Sequence, residues 1–213
     1  MPVRAKQAGK THIGLARALV YYSDAYDDNP EDLVVLNNKP ALEVPFTYIL
    51  PRVNPDGEPC KVSGYLDMLR SFAGAYTVVD YKTTSSSLTD FYFGRFEIHF
   101  QNYVYSAAAQ ILTGNEVSQF LIDAISVQPA GKVELVRRPI NLTPGEIEEG
   151  LIDIQEQMNL AEHYASRDYW PKNPDACTFC DFKNICNKDP KLRIDFLESD
   201  FEEKRRKEVT TRG

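Results

Sequence analysis

Residues 62–82, VSGYLDMLRSFAGAYTVVDYK, constrain this chain more than any other stretch, because they read as one β-hairpin with a charged constellation on each strand. Strand-forming residues fill it (Val62, Leu66, Leu69, Phe72, then Tyr76, Val78, Val79), and Ala73-Gly74-Ala75 supplies the turn. The first strand carries Gly64-Tyr65-Leu66-Asp67, and the second ends in Asp80-Tyr81-Lys82. Antiparallel pairing brings Asp67 toward Asp80. Two facing carboxylates repel unless a cation sits between them. Side chains alternate along a strand, so Lys82 lies on the same side as Asp80. Asp, Asp and Lys on one face form a site for a hard divalent metal with a cation beside it. The alternative is two surface strands with ordinary charges at their ends. Two features favour the site. Gly64 sits inside a strand, where glycine is unfavourable unless something approaches closely. Val78-Val79 run directly into Asp80, so that carboxylate emerges from a buried strand.

The 213 residues, 43% hydrophobic and 26% charged, predict one globular domain with a substantial core. No run reaches the roughly 18 apolar residues of a membrane span. The start, MPVRAKQAGKTH, has no apolar secretion core, so a cytoplasmic protein without a membrane partner is expected. The net charge of −7 weighs against general affinity for phosphate, although a metal site keeps its acids and needs only a local basic stripe nearby. The four cysteines, Cys60, Cys177, Cys180 and Cys186, are not a disulfide set in that compartment.

Along the chain, residues 3–26 predict a helix with Ile13, Leu15, Ala16, Leu19, Val20 and Tyr22 on its apolar side and His12 within it. A loop over 31–39 leads to a strand over 41–50, where Pro45 favours an edge position. Asn54-Pro55-Asp56-Gly57 turns into the hairpin, making a three-strand meander over 41–82. A polar loop, Thr83 to Thr89, precedes one helix over 94–113 that stops at Gly114. Strands over 117–127 and 132–140 follow, and Thr143-Pro144-Gly145-Glu146 is a capping box opening a helix to Tyr164. The predicted fold is α/β, a mixed central sheet flanked by helices in the order α-β-β-β-α-β. The expected division is a core over 1–169, a cysteine-bearing segment over 170–190 packed on it, and a charged tail over 191–213 containing Lys204-Arg205-Arg206-Lys207. Cys177-x2-Cys180-x5-Cys186 gives three thiolates at a spacing that suits a soft-metal centre, zinc or iron–sulfur. Three inert buried cysteines are the alternative.

Gly64-x-x-Asp67, Asp80-Tyr81-Lys82-Thr83 and Gln101-x-x-x-Tyr105, in that order, resemble the PD-(D/E)XK nuclease superfamily. Within it the likeness is to the RecB-like exonuclease branch, with its recombination helicase–nucleases, CRISPR adaptation nucleases and phage exonucleases. The resemblance runs from His12 to Cys186 and implies a restriction-endonuclease-like core. It implies that Asp67 and Asp80 are metal-binding carboxylates and that the Tyr81 backbone carbonyl completes their edge of the site. Lys82 is then the residue that orients the attacking water and stabilises developing charge. Gln101 and Tyr105, sharing a helix face, contact the DNA strand. His12 is a further metal ligand, one that prefers Mn2+ to Mg2+. The branch has a glycine four residues before its histidine; this chain has Ala8 there and Gly9 at three. Glu43 is similar to an acidic residue that often precedes the motif, or is a solvent-facing strand residue.

The branch's cysteines hold a [4Fe–4S] cluster with a fourth cysteine ahead of the histidine helix. This chain has none there. Either that segment lies outside this chain, or the cluster is replaced and the three cysteines are reduced or hold zinc, or Cys60 is the fourth ligand. The function implied is a Mg2+- or Mn2+-dependent DNA exonuclease acting on single-stranded ends in recombination, repair, phage or CRISPR settings. A helicase or recombination protein is the implied partner. A DNA-binding or assembly subunit with a vestigial site is the competing expectation. Tyr81 and the run Phe91-Tyr92-Phe93 are candidates for stacking on bases, while His99 and His163 receive no role.

Overall fold

The computed structural model describes residues 3–27, 31–129 and 131–202, with residues 3–13, 118 and 179 described for their backbone alone. Helix α1 (Val3–Tyr26) is followed by three two-residue strands, β1 (Asp32–Leu33), β2 (Val35–Leu36) and β3 (Lys39–Pro40), where the sequence predicts a loop. Then come β4 (Leu42–Val53), β5 (Pro59–Phe72), β6 (Ala75–Thr84), α2 (Asp90–Glu97), α3 (Phe100–Thr113), β7 (Val117–Val127), β8 (Val133–Asn141) and α4 (Pro144–Ser166). The mixed central sheet and flanking helices expected from the sequence are what form.

The predicted hairpin is β5–β6. Ala73 and Gly74 both take left-handed backbone angles, φ 48° and 84°, giving the two-residue turn whose twist matches the strands it joins. The ladder runs from Phe72↔Ala75 to Met68↔Val79 and then stops, although both strands continue. Past that rung β5 pairs with β4, from Leu42↔Met68 to Val53↔Pro59. Strand β6 pairs in parallel with β7, from Tyr76↔Val117 to Thr84↔Ser126. The hairpin therefore opens into a fork, and Asp67 and Asp80 occupy the first positions beyond the last rung. Strand β4 is an edge along most of its length, which accommodates Pro45 opposite Tyr65. Antiparallel β8 closes the other side of the sheet.

One sheet face packs on α2 and α3. Leu69, Val78, Phe120 and Ile122 meet Phe93, Val104 and Ala108 there. Each large apolar side chain so buried contributes about 1.5–3 kcal/mol. Helix α4 joins this core through Ile147, and a Cβ on Gly150 would sit 2.2 Å from the Tyr103 ring, so only glycine fits. The capping box forms as predicted: Thr143 N–H donates to Glu146 Oε2 at 2.8 Å, and Glu146 N–H to Thr143 Oγ at 3.3 Å.

The helix predicted over 94–113 is two helices. Helix α2 starts early, at Asp90, because Thr89 Oγ accepts from the Tyr92 N–H. It ends at Glu97, and His99 in extended conformation starts α3 by accepting the Gln101 N–H on Nδ1 at 3.2 Å. Buried Asn102 ties the break together, its side chain donating to the Phe96 carbonyl at 2.6 Å.

The chain divides into two compact units, 1–155 and 156–213. Besides the end of α4, the second contains a 3-10 turn (Pro174–Phe179), α5 (Lys183–Cys186), another 3-10 turn (Pro190–Leu192) and α6 (Arg193–Asp200). Phe182 and Phe201 stack within it at 4.9 Å. Lys204, Arg205, Arg206 and Lys207 lie outside the described residues. Among the described residues no helix is long and apolar enough to cross a membrane.

Candidate active site

The fork of the hairpin gathers most of the predicted site residues. Asp80 lies at its base, 1% exposed, because β6 is covered there by β7 and α3. Its Oδ1 accepts from Gln101 Nε2 at 2.8 Å, and its Oδ2 stands 2.6 Å from the Lys82 ammonium. Lys82 in turn donates to Gln101 Oε1 at 3.2 Å. Asp80, Lys82 and Gln101 thus form a closed triangle. The β period sets Asp80 beside Lys82, and the helix break at His99 sets Gln101 in the first turn of α3, facing both.

Asp67 fills the gap where the ladder ends: its Oδ2 accepts the Tyr81 N–H at 2.9 Å, a donor that β5 no longer satisfies. Continuing the β4–β5 register sets Glu43 opposite Asp67, so three acids lie in one row across β4, β5 and β6. Glu43 has φ 49°, a left-handed strain of about 1–2 kcal/mol for a non-glycine residue, placed at this row. Gly64 is the glycine that a close approach requires. What approaches is the Phe46 ring, 3.0 Å from where a Cβ would lie, with Tyr105 behind it at 3.7 Å.

Burial pushes the Asp80 carboxyl up, and the Asp67 charge adds to that, against the lowering effect of Lys82 and Gln101. The Tyr105 phenol is also raised, first by burial and then by the charges of Asp80, Asp67 and Glu43, while Gln101 acts the other way. Asp80 thus feels the charges of both Asp67 and Lys82, and Tyr105 those of Asp80, Asp67 and Glu43. Asp80 Oδ2 has no hydrogen-bond donor in good geometry; only the Lys82 charge compensates it. A buried carboxylate oxygen so exposed to a neighbouring acid fits a hard divalent cation held by Asp67, Asp80, a backbone carbonyl and water. Among the described residues no three His, Cys, Asp or Glu side chains are gathered closely enough to hold a metal alone.

The remaining predicted residues fall as follows. The His12 side chain lies outside the described residues. Tyr105 packs edge-on against Phe46 at 5.5 Å, one turn beyond Gln101. Tyr92 and Phe93 are buried in the core, which removes them as stacking surfaces; Phe91 alone of that run is exposed, at 95%. The Tyr81 ring points to the opposite sheet face, toward Tyr22 at 6.4 Å. Cys177, Cys180 and Cys186 are free thiols, Cys177 donating to the Asn173 carbonyl at 3.5 Å. They do not come together as a three-ligand group among the described residues.

Two features escaped the sequence. One is His99, whose imidazole cap positions Gln101. The other is a buried network behind the site. Asp123 on β7, 0% exposed, accepts from the Tyr22 hydroxyl at 2.5 Å and from Arg137 Nε at 2.9 Å, and Arg137 also donates to Tyr22 at 2.9 Å. The Arg137 guanidinium lies 3.6 Å over the Tyr26 ring. This network fastens α1 to β7 and β8.

A family model for the PD-(D/E)XK nuclease superfamily matches residues 9–187. Among solved structures, the protein SSO0001 is similar at 18% identity and a TM-score of 0.42, covering 82% of this chain and 69% of its own. A candidate exonuclease from Eubacterium rectale is similar at 21% identity and a TM-score of 0.42, covering 75% of this chain and 56% of its own, so this chain spans little more than half of that protein. No curated protein matches the chain.

Proposed function

The chain belongs to the PD-(D/E)XK nuclease superfamily, and from that premise we propose that it is a divalent-metal-dependent deoxyribonuclease acting on free ends of single-stranded DNA. The observation that carries this reading is the triangle of Asp80, Lys82 and Gln101 with Asp67 beside it. Asp67, Asp80 and the Tyr81 carbonyl would hold Mg2+ or Mn2+, with His12 as a further ligand. The metal, when bound, supplies Lewis acidity toward a phosphate oxygen and a more acidic water.

The chain's own residues do the rest. Gln101 fixes both partners, its amide NH2 on Asp80 and its carbonyl on Lys82, so the ammonium is aimed before substrate arrives. Lys82, a quarter exposed, can leave Asp80 to orient the attacking water and meet the charge that grows on the phosphate. Tyr105, on the same face of α3, keeps its proton and offers a hydroxyl to the substrate strand. A preference for single-stranded ends makes a helicase the kind of partner that would feed this enzyme.

The test is cleavage of labelled linear and circular DNA, single- and double-stranded, by the full chain with Mg2+ or Mn2+. Linear single strands should be shortened from their ends, EDTA should stop the reaction, and Lys82→Ala should lower the rate by about 10²–10³-fold at a temperature where the variant is still folded. Full activity in Lys82→Ala overturns the assignment. Cleavage of circles overturns the preference for ends.

A further inference from the structure

Arg95, on α2, has no part in the triangle. Its guanidinium lies over two rings, Tyr92 at 4.2 Å and Phe96 at 4.8 Å. Tyr92 is buried and Phe96 packs on the core, so the surface beneath the guanidinium is fixed. The Phe96 ring also has the Lys82 ammonium 5.8 Å from its centre. One ring therefore meets both the Lys82 ammonium and an exposed arginine.

Charge partners separate Arg95 from other stacked arginines. Arg138 lies 4.9 Å over Phe93 and is paired with Asp90 at 2.5 Å. Arg137 lies over Tyr26 and is paired with Asp123. Among the described residues Arg95 has no carboxylate within ion-pair distance. An exposed cation–π contact alone stabilises a fold little. What the two rings, inclined to each other by 63°, do provide is a guanidinium held at one place between them, with no carboxylate among the described residues paired to its N–H donors. That geometry matches the oxygens of a phosphodiester, which a planar fork binds with two parallel hydrogen bonds.

We propose that Arg95 binds a phosphate of the substrate strand adjacent to the one Lys82 serves, and that Phe96 keeps the two cations in register. The inference rests on the reading of this chain as a DNA-cleaving enzyme, but its test does not need cleavage. Binding of a fluorescent single-stranded oligonucleotide to the full chain is followed by anisotropy in EDTA over a salt series, for wild type, Arg95→Ala, Arg95→Lys and Arg138→Ala.

Arg95→Ala should bind about tenfold more weakly, and the slope of log K against log salt should fall by about 0.7, the value for one phosphate contact on a single strand. Arg95→Lys should keep the slope and lose part of the affinity, since it keeps the charge and loses the fork. Arg138→Ala should bind as wild type does. Under turnover, Arg95→Ala should raise KM more than it lowers kcat. Equal affinity and slope in wild type and Arg95→Ala overturn the inference while leaving the nuclease reading intact. A wild-type chain that cleaves nothing but shows the Arg95-dependent slope upholds the inference and defeats that reading. A wild-type chain that binds no single-stranded DNA in EDTA overturns the inference, and cleavage with Mg2+ or Mn2+ then decides the nuclease reading on its own.

Discussion

Asp80 and Asp123 invite comparison because their settings are nearly the same. They lie on adjacent parallel strands, with Ile122 paired to Asp80 and Asp123 the next residue along. Both are essentially unexposed, and each has one carboxylate oxygen without a hydrogen bond. Each has a cation close by, Lys82 at 2.6 Å and Arg137 at 2.9 Å. They point to opposite faces of the sheet, and there the likeness ends. Asp123 is locked: its cation is 16% exposed, stacked on Tyr26 and bonded to Tyr22. Asp80 is poised: its cation is a flexible ammonium, 25% exposed, and Asp67 presents a second carboxylate beside it. A buried acid does not by itself mark chemistry. A second acid and a partner able to leave do.

The sharpest way to break that contrast is to neutralise each acid. Asp80→Asn should lower cleavage by about 10³-fold or more, since the carboxylate is the group a metal would need. It should also raise stability by about 1 kcal/mol in metal-free buffer, because burial outweighs Lys82 in setting the cost of that charge. Chemical denaturation of both proteins checks this, and a clear loss of stability in Asp80→Asn would mean that Asp80 is a structural ion pair after all.

Asp123→Ala should behave in the opposite way. It leaves Arg137 buried with no carboxylate, which costs about 3–5 kcal/mol. At a temperature where the variant is still folded, its kcat should match wild type, because Asp123 and its partners lie on the sheet face opposite Asp80. A fall in kcat without a fall in folded fraction would show that the network sets α1, and with it His12, for the reaction.

The two regions were unequally legible in the sequence. Asp67, Asp80 and Lys82 follow from a period of two within one hairpin, which short-range rules find, whereas Gln101 and Tyr105 at helical spacing carry no signal of their own and are picked out only by the resemblance to the family's motif. The fork does not follow from those rules. The ladder stops at Met68↔Val79 because β4 and β7 compete for the same strands, and that is decided by residues as distant as Val44 and Ile122. The break at His99 was missed because the apolar period runs through it, whereas an imidazole accepting a backbone N–H ends one helix and begins the next. The Asp123 network had no local signal at all. Tyr22 meets it from 101 positions away and Arg137 from 14, and only the folded sheet brings them together.

The finest test of the locked region is Tyr22→Phe, which removes one hydroxyl and keeps the ring over Arg137. That hydroxyl donates to Asp123 and accepts from Arg137, so its loss should cost about 1–2 kcal/mol near neutral pH. The cost should also depend on pH in a known direction. Burial and the bond to Asp123 raise the Tyr22 phenol above its ordinary 10.0. Between the unfolded and folded values the native state holds the extra proton. Stability from this group is therefore complete below about pH 10 and declines as pH climbs toward the folded value. Wild type should lose stability over that alkaline range faster than Tyr22→Phe does, and the gap between them should narrow. Parallel denaturation curves at every pH would mean that the phenol is not held by Asp123, and the locked half of the comparison would fail.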